Sequence, residues 1–348
     1  GHEFNLDRMM NGMKRSLAYY SEHFSPYQYQ VMKIVESPVY SERAQSFPSM
    51  VPFSEGIGFI MDITEDNAVD MPFYITAHEM AHQWWGDQIN PAHVQGQTMI
   101  SETLAQYSAL MVFGKEYSQT KETQLLKWNL RQYLKHRSRE DIQEMPLALV
   151  ESGQEYVYYR KGLIAMNAFQ HYVSEDSVNK ALQRFITDWN SLDGLKKMNT
   201  ENYPTTKNLM PYFRDVTPDS LQYLIEDLFE TITIYDNKIT QADYEQLSEN
   251  QYKVVVTIDF NKSKTDSLGT DKPTDLNDWI ELGIYTEVGN GEDSLINLEK
   301  YKIKEQQKVI ELIVSQKPVK VVVDPHLLLI DKDINDNERL FTQNKPSN

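Results

Sequence analysis

The sequence predicts an α+β protein in two parts: a small leading sheet and then mostly helices over residues 1–230, and an antiparallel β-sandwich over 231–348. Three observations carry that division. Apolar residues recur at helical spacing through the first part, as in Leu6, Met9, Met10, Met13, Leu17 and Tyr20, or Leu163, Met166, Phe169 and Val173. From about Thr231 the pattern becomes that of strands, as in Val254-Val255-Val256-Thr257-Ile258 and Val319-Lys320-Val321-Val322-Val323. The helical part also carries His78-Glu79-Met80-Ala81-His82, two histidines four residues apart.

The leading stripe, Leu6 to Tyr20, makes a helix with one core face. Tyr27 to Val35 alternates and reads as a strand. A loop marked by Pro38, Pro48 and Pro52 leads to a second strand, Phe53 to Met61, containing Gly56 and Gly58. Glycine weakens a strand and marks close approach to the backbone. Asp70 caps the next helix, Pro72 fits its first turn and Gly86 stops it. Ile100, Leu104, Tyr107 and Met111 stripe a further helix. Leu125, Leu126, Leu130, Tyr133 and Leu134 stripe another, ending in Lys135-His136-Arg137-Ser138-Arg139, which reads as a solvated basic terminus. After the helix at Leu163, Val178 to Trp189 gives one more, and Thr217-Pro218 opens a last one through Leu221, Leu224, Ile225 and Leu228. The strands beyond are separated by Asp, Asn, Gly and Lys, and Leu340 onward reads as a tail.

Composition excludes several classes. The chain has 348 residues, enough for more than one domain, and a net charge of −17 with no basic block, so nucleic acid is not an expected partner. It has no cysteine, which excludes disulfides and thiolate metal sites. No apolar run approaches the length of a membrane span.

The chemistry gathers around His78 and His82. Positions i and i+4 share a helix face, so the two imidazoles aim at one point, as two zinc ligands do. Glu79, turned partly aside, reaches a water rather than the metal. A third ligand candidate is Glu102, which shares a face with the small residues Ala105 and Ala109. A carboxylate there is costly unless paired or bound to metal, although a surface glutamate beside alanines stays open. His93 reads as an exposed loop histidine. Tyr156 to Tyr159, just before the Leu163 stripe, fit core positions in a chain with 21 tyrosines.

Together these segments resemble the aminopeptidase N family of gluzincin zinc peptidases. His78 to Asp87 is similar to that family's zinc helix, and Ser101-Glu102-Thr103 stands where its Asn-Glu-Gly stands. Nineteen residues, 83–101, separate His82 from Glu102, against the family's usual eighteen. Tyr159-Arg160-Lys161-Gly162 resembles Tyr-Glu-Lys-Gly with one replacement. Glu55 and Gly58 align with the Glu and the later Gly of the family's Gly-x-Met-Glu-Asn-Trp-Gly, whose other positions mostly differ here. The resemblance implies a thermolysin-like zinc peptidase domain ahead of the sandwich. It implies zinc held by His78, His82 and Glu102, with Glu79 as the base for water and Tyr159 stabilising the oxyanion. Glu55, with Gly58, would then bind substrate by holding the free amine of a peptide, the mark of an aminopeptidase. Two other readings stay open: an endopeptidase in which Glu55 anchors no amine, and a catalytically silent module that binds peptides or assembles with a transporter. Asn90 to Val112 also resembles the peptidase-like C-terminal domains of large bacterial membrane proteins described as transporter permeases. That implies a soluble piece tethered to a membrane-bound parent, on its extracytoplasmic side.

Overall fold

The computed structural model describes residues 2–38, 40, 42–64, 68–139, 143–190, 203–266, 268–289 and 293–344. The chain divides into two units, Gly1–Ile232 and Thr233–Asn348. In the first, helix α1 (Leu6–His23) buries Met9, Met13 and Tyr20 of its predicted stripe together with Tyr19, while Leu6 and Met10 are exposed. Strands β1 (Lys33–Ser37) and β2 (Met50–Ser54) pair in parallel, with Lys33 opposite Met50 and Ser37 opposite Ser54. Both are shorter than the sequence suggests. Alternation continues upstream through Tyr27, but only five residues of β2 are available to pair. Downstream of Ser54 the chain turns instead of extending, with Gly58 N donating to Ser54 O and Ile60 N to Glu55 O. Glu55 and Gly58 therefore stand in a turn and not in a strand.

Helix α2 (Met71–Ala81) is the centre of the unit. All but two of its residues are buried, and a helix covered on every side needs apolar residues on every side. It crosses α1 closely: a Cβ at Gly12 would lie 3.0 Å from Phe73 O. Helix α3 (Leu104–Glu116) packs on α2 and is likewise buried from Leu104 through Phe113, more completely than its predicted stripe. Around them run α4 (Gln119–Arg137), α5 (Gly162–Val173), α6 (Glu175–Trp189) and α7 (Thr206–Val216). Helix α7 carries Pro211 in its interior, which hides it from a periodicity reading. The helix expected after Pro218 is broken into the short turns Asp219–Leu221, Tyr223–Ile225 and Glu226–Glu230.

The second unit is built from β3 (Thr233–Tyr235), β4 (Lys238–Ser248), β5 (Gln251–Asp259), β6 (Lys262–Thr265), β7 (Asp271–Pro273), β8 (Asp278–Glu287), β9 (Asp293–Ile303), β10 (Gln307–Val314), β11 (Lys320–Val323), β12 (Glu338–Leu340) and β13 (Thr342–Gln343). Two four-stranded sheets run β10-β5-β4-β13 and β12-β11-β8-β9, beside a small sheet β3-β6-β7. One apolar core takes Val254, Val256 and Ile258 from the first sheet and Ile280, Leu282, Ile284, Val321 and Val323 from the second, the arrangement of a β-sandwich. The segment read as a tail is stitched in. Residues of β12 pair with β11, β13 pairs in parallel with β4, and Phe341 packs on the core; residues 345–348 lie outside the described residues.

Candidate active site

Helix α2 is fixed at both ends before it presents its histidines. Asp70 accepts from Phe73 N at 3.0 Å as the N-cap, and its second oxygen accepts from Arg8 Nη1 and Tyr117 OH, both at 2.7 Å. Beyond the last turn, Trp84 Nε1 donates to Ser25 O and Trp85 Nε1 to Ser108 Oγ, each at 2.9 Å. Gly86, at φ +141°, then turns the chain away in a conformation that favours glycine.

Between those anchors, three donor atoms converge. His78 Nε2 and His82 Nε2 are 3.2 Å apart, and each is 3.3 Å from Glu102 Oε2. Glu102 Oε2 is buried without a well-formed hydrogen bond. His82 Nδ1 lies 3.0 Å from Trp85 O, so it donates there and turns Nε2 toward the triangle. Burial opposes the charge on Glu102, yet His82 and His78 hold its carboxyl well below the usual carboxylate range. Burial likewise opposes charge on His82, but Glu102 outweighs it and pushes the imidazole up to about 9. Glu79 differs: burial pushes its carboxyl up, and His82 and His78 offset this only in part.

Glu102 and Tyr159 both stand on widened helical turns. Glu102 lies in the π turn Met99–Thr103 that feeds α3, and Tyr159 in the π turn Tyr156–Lys161 that feeds α5. A π turn takes up an extra residue and often marks a functional position. The widened turn also breaks the simple periodicity that groups Glu102 with Ala105 and Ala109. The two turns lock together. Thr103 Oγ1 donates to Tyr158 O at 2.6 Å, and a Cβ at Gly162 would lie 2.5 Å from that same Oγ1. The Tyr159 ring sits 5.8 Å from that of His78, and the Glu102 charge acts on its hydroxyl. Burial, with Glu102 adding to it, pushes the hydroxyl far above the ordinary tyrosine range. Tyr158 instead directs its hydroxyl to Ser152 O at 3.3 Å. Behind the turn, buried Lys161 meets Glu144 Oε1 at 3.3 Å, and Glu144 also accepts from Tyr133 OH and Arg137 Nε at 2.7 Å. Arg137 is thus an anchor, which corrects the view of residues 135–139 as only a solvated end.

The remaining predicted positions lie apart from this group. Glu55 is half-buried in a separate set with His2 and Glu36, their ligand atoms within 4.8 Å of one another. Gly58 is buried, and a Cβ there would meet the Phe53 ring at 2.6 Å, so its glycine is explained by packing. His93 is exposed and bonds to Gln97 Oε1 at 3.0 Å. Sequence reasoning missed Thr103, Glu144 and the Trp85 carbonyl. Only the first had a signal, its replacement of glycine beside Glu102.

The profile of the peptidase family M1 domain matches residues 8–205. The chain belongs to peptidase family M1. No curated protein sequence matches it. Among solved structures it is similar to the crystal structure of Legionella pneumophila aminopeptidase A in complex with aspartic acid. The match covers 94% of this chain and 34% of that one, at 12% identity and a TM-score of 0.57, a likeness of fold. The chain thus spans about a third of the length of that structure. M1 peptidases are zinc-dependent, and the donor set fits zinc. Tetrahedral zinc with bonds of about 2.0–2.1 Å sets its ligand atoms about 3.3 Å apart. The triangle has edges of 3.2, 3.3 and 3.3 Å with a bare carboxylate oxygen at one corner.

Proposed function

We propose that this chain is a zinc-dependent aminopeptidase that releases residues from the free amino end of peptides. The observation that carries the reading is the triangle of His78, His82 and Glu102, with Glu79 and Tyr159 beside it. Held by those three side chains, zinc would supply Lewis-acid chemistry, making water acidic and a carbonyl electrophilic.

The protein's own groups do the rest. Glu79 accepts the proton of the attacking water and later delivers it to the leaving amine. A carboxyl pushed up by burial suits that exchange, because it is a stronger base than an ordinary carboxylate. Tyr159 keeps its proton, so its hydroxyl can donate a hydrogen bond to the carbonyl oxygen as negative charge develops there. The bond between Thr103 and Tyr158 O keeps that turn in place against Glu102. Glu55 would hold the substrate ammonium, with Gly58 packed behind it. Their alignment with the family pattern supports this role, and it is the part that separates an aminopeptidase from an endopeptidase.

A finer reading concerns the parent molecule. The resemblance of Asn90 to Val112 to transporter-permease domains supports a peptidase unit tethered to a membrane protein and working outside the cytoplasm. Among the described residues no helix is long and apolar enough to cross a membrane.

The test is a panel of matched peptides with free and acetylated amines, assayed with zinc present. Unblocked peptides should be trimmed one residue at a time, and acetylation should lower kcat/KM by about ten-fold or more, the worth of a charge-assisted hydrogen bond. Equal cleavage of both would favour the endopeptidase reading. Cleavage of neither, with zinc bound, would leave the silent module.

A further inference from the structure

A cavity of about 330 Å³ opens beside Tyr159, and its walls include Arg160, His136, Arg139 and Glu155. Arg160 is the residue that sets its character. Its guanidinium stacks on Trp128, 4.4 Å from the ring centroid, and Nη1 donates to Asn129 Oδ1 at 3.1 Å. Among the described residues no carboxylate lies within ion-pair distance of it, although it is only partly exposed. Its neighbour Lys161 is treated differently, with Glu144 at 3.3 Å. A half-buried cation offset only at longer range by the exposed Glu155 is costly, and a guanidinium has five N–H donors, of which Asn129 takes one. The stacked and tethered fork is held ready for a planar anion.

The surroundings agree. Arg139 adds a second cation at the exposed rim, and His136 a third nitrogen centre whose Nδ1 is engaged by Gln132 O at 2.7 Å. Among the described residues Glu155 is the one acid in the lining; it is exposed, and it acts on Arg160 only at longer range. In sequence, Arg160 stands where the resembling Tyr-Glu-Lys-Gly motif has an acid, so the charge beside Tyr159 is reversed. We propose that this cavity is a subsite for a carboxylate of the peptide substrate, received by Arg160 with Arg139 at its rim. The carboxylate has two possible sources, an acidic side chain near the cleaved bond or the C-terminus of a short peptide. The proposal rests on the peptidase reading above.

Two peptide pairs separate the sources: Glu against Gln next to the cleaved bond in C-terminally amidated peptides, and free acid against amide at the C-terminus of otherwise neutral ones. Binding is measured by calorimetry on the full chain carrying Glu79→Gln, so that nothing is cleaved. In at least one pair the carboxylate member should bind about ten- to a hundred-fold more tightly, as a charge-assisted pair does. Adding Arg160→Gln should bring that ratio near one while the neutral members bind as before. Arg160→Lys should retain part of the ratio, and the exposed Arg139→Gln should lower it less. Equal binding within both pairs would overturn the subsite. So would an Arg160→Gln or Arg160→Lys protein in which both members weaken alike, the sign of a structural role. Turnover by the unsubstituted chain is read alongside. Carboxylate preference without turnover contradicts the peptidase reading and keeps the subsite; turnover without preference does the reverse.

Discussion

Among the carboxylates that the two units hold away from solvent, Asp324 and Glu102 are treated in opposite ways. In the β unit, Asp324 has one oxygen on Leu328 N at 2.9 Å and the other on Leu329 N at 2.8 Å. Burial pushes its carboxyl up to about 7 despite those bonds, with Glu281 and Asp331 adding to the rise. It is a turn-former whose hydrogen-bonding capacity is spent on its own backbone. In the helical unit, Glu102 leaves Oε2 buried and bare, while two imidazoles overcome burial and keep it ionised. A buried acid satisfied by local amides is structural. One held charged, with a free oxygen aimed at two imidazole nitrogens, is set for a cation.

The contrast can be broken first at Tyr159, whose ring stands 5.8 Å from that of His78 beside Glu102. If that group is catalytic, Tyr159→Phe should lower kcat by about 10²–10³-fold, the usual cost of an oxyanion donor, with little change in peptide binding. Tyr158→Phe, whose hydroxyl goes to Ser152 O, should be mild. Steady-state kinetics on both variants decides, and reversed results would shift the role by one residue. A smaller effect should follow from Gly162→Ala. The added Cβ would stand 2.5 Å from Thr103 Oγ1, and overpacking of this kind costs about 1–3 kcal/mol. Urea denaturation should show that loss, with lower turnover because the turn bearing Glu102 is displaced; unchanged stability would mean the two turns are not locked together.

The smallest effect concerns Asp324 and pH. Its carboxyl binds a proton more tightly in the folded chain than at the ordinary value of 3.8. The linked stability is therefore present at low pH and lost as pH rises from about 4 to about 7. Asp324→Asn should remove that part of the pH dependence and leave turnover untouched. A difference between the two proteins' urea midpoints that stayed flat from pH 4 to 8 would contradict the burial argument.

Much of this was readable in the sequence where chemistry follows helical spacing. His78 and Glu79 lie in one helix capped by Asp70, and His82 is its C-cap in helical conformation, so five residues determine their mutual geometry, although the helix ends at Ala81 and not at the expected Gly86. Glu102 was legible as a costly carboxylate beside two alanines, but Tyr159 only through family resemblance, and each lies on a π turn that spoils the periodicity. The sandwich was legible from strand alternation. The strand limits at Ser37 and Ser54 were not, since they depend on how much partner strand is available. Helix α7 was hidden by Pro211, and the pairing of β13 with β4 joins residues about a hundred positions apart. Arg160 carried no chemistry as a letter in a motif; its meaning comes from Trp128, Asn129 and the lack of a described carboxylate partner.

The central claim is that His78, His82 and Glu102 hold zinc while Glu79 works on water, and zinc content measured with turnover on the same samples tests it most directly. The account predicts close to one zinc per unsubstituted chain, lost with activity on chelation and restored with it on re-addition. Glu102→Gln should bind zinc far more weakly, because a three-ligand site loses much of its affinity with any ligand. Asp324→Asn should bind it as the parent does. Glu79→Gln should keep the metal and lose turnover by about a thousand-fold or more. A Glu102→Gln protein with full zinc, or a Glu79→Gln protein with full activity, would contradict it.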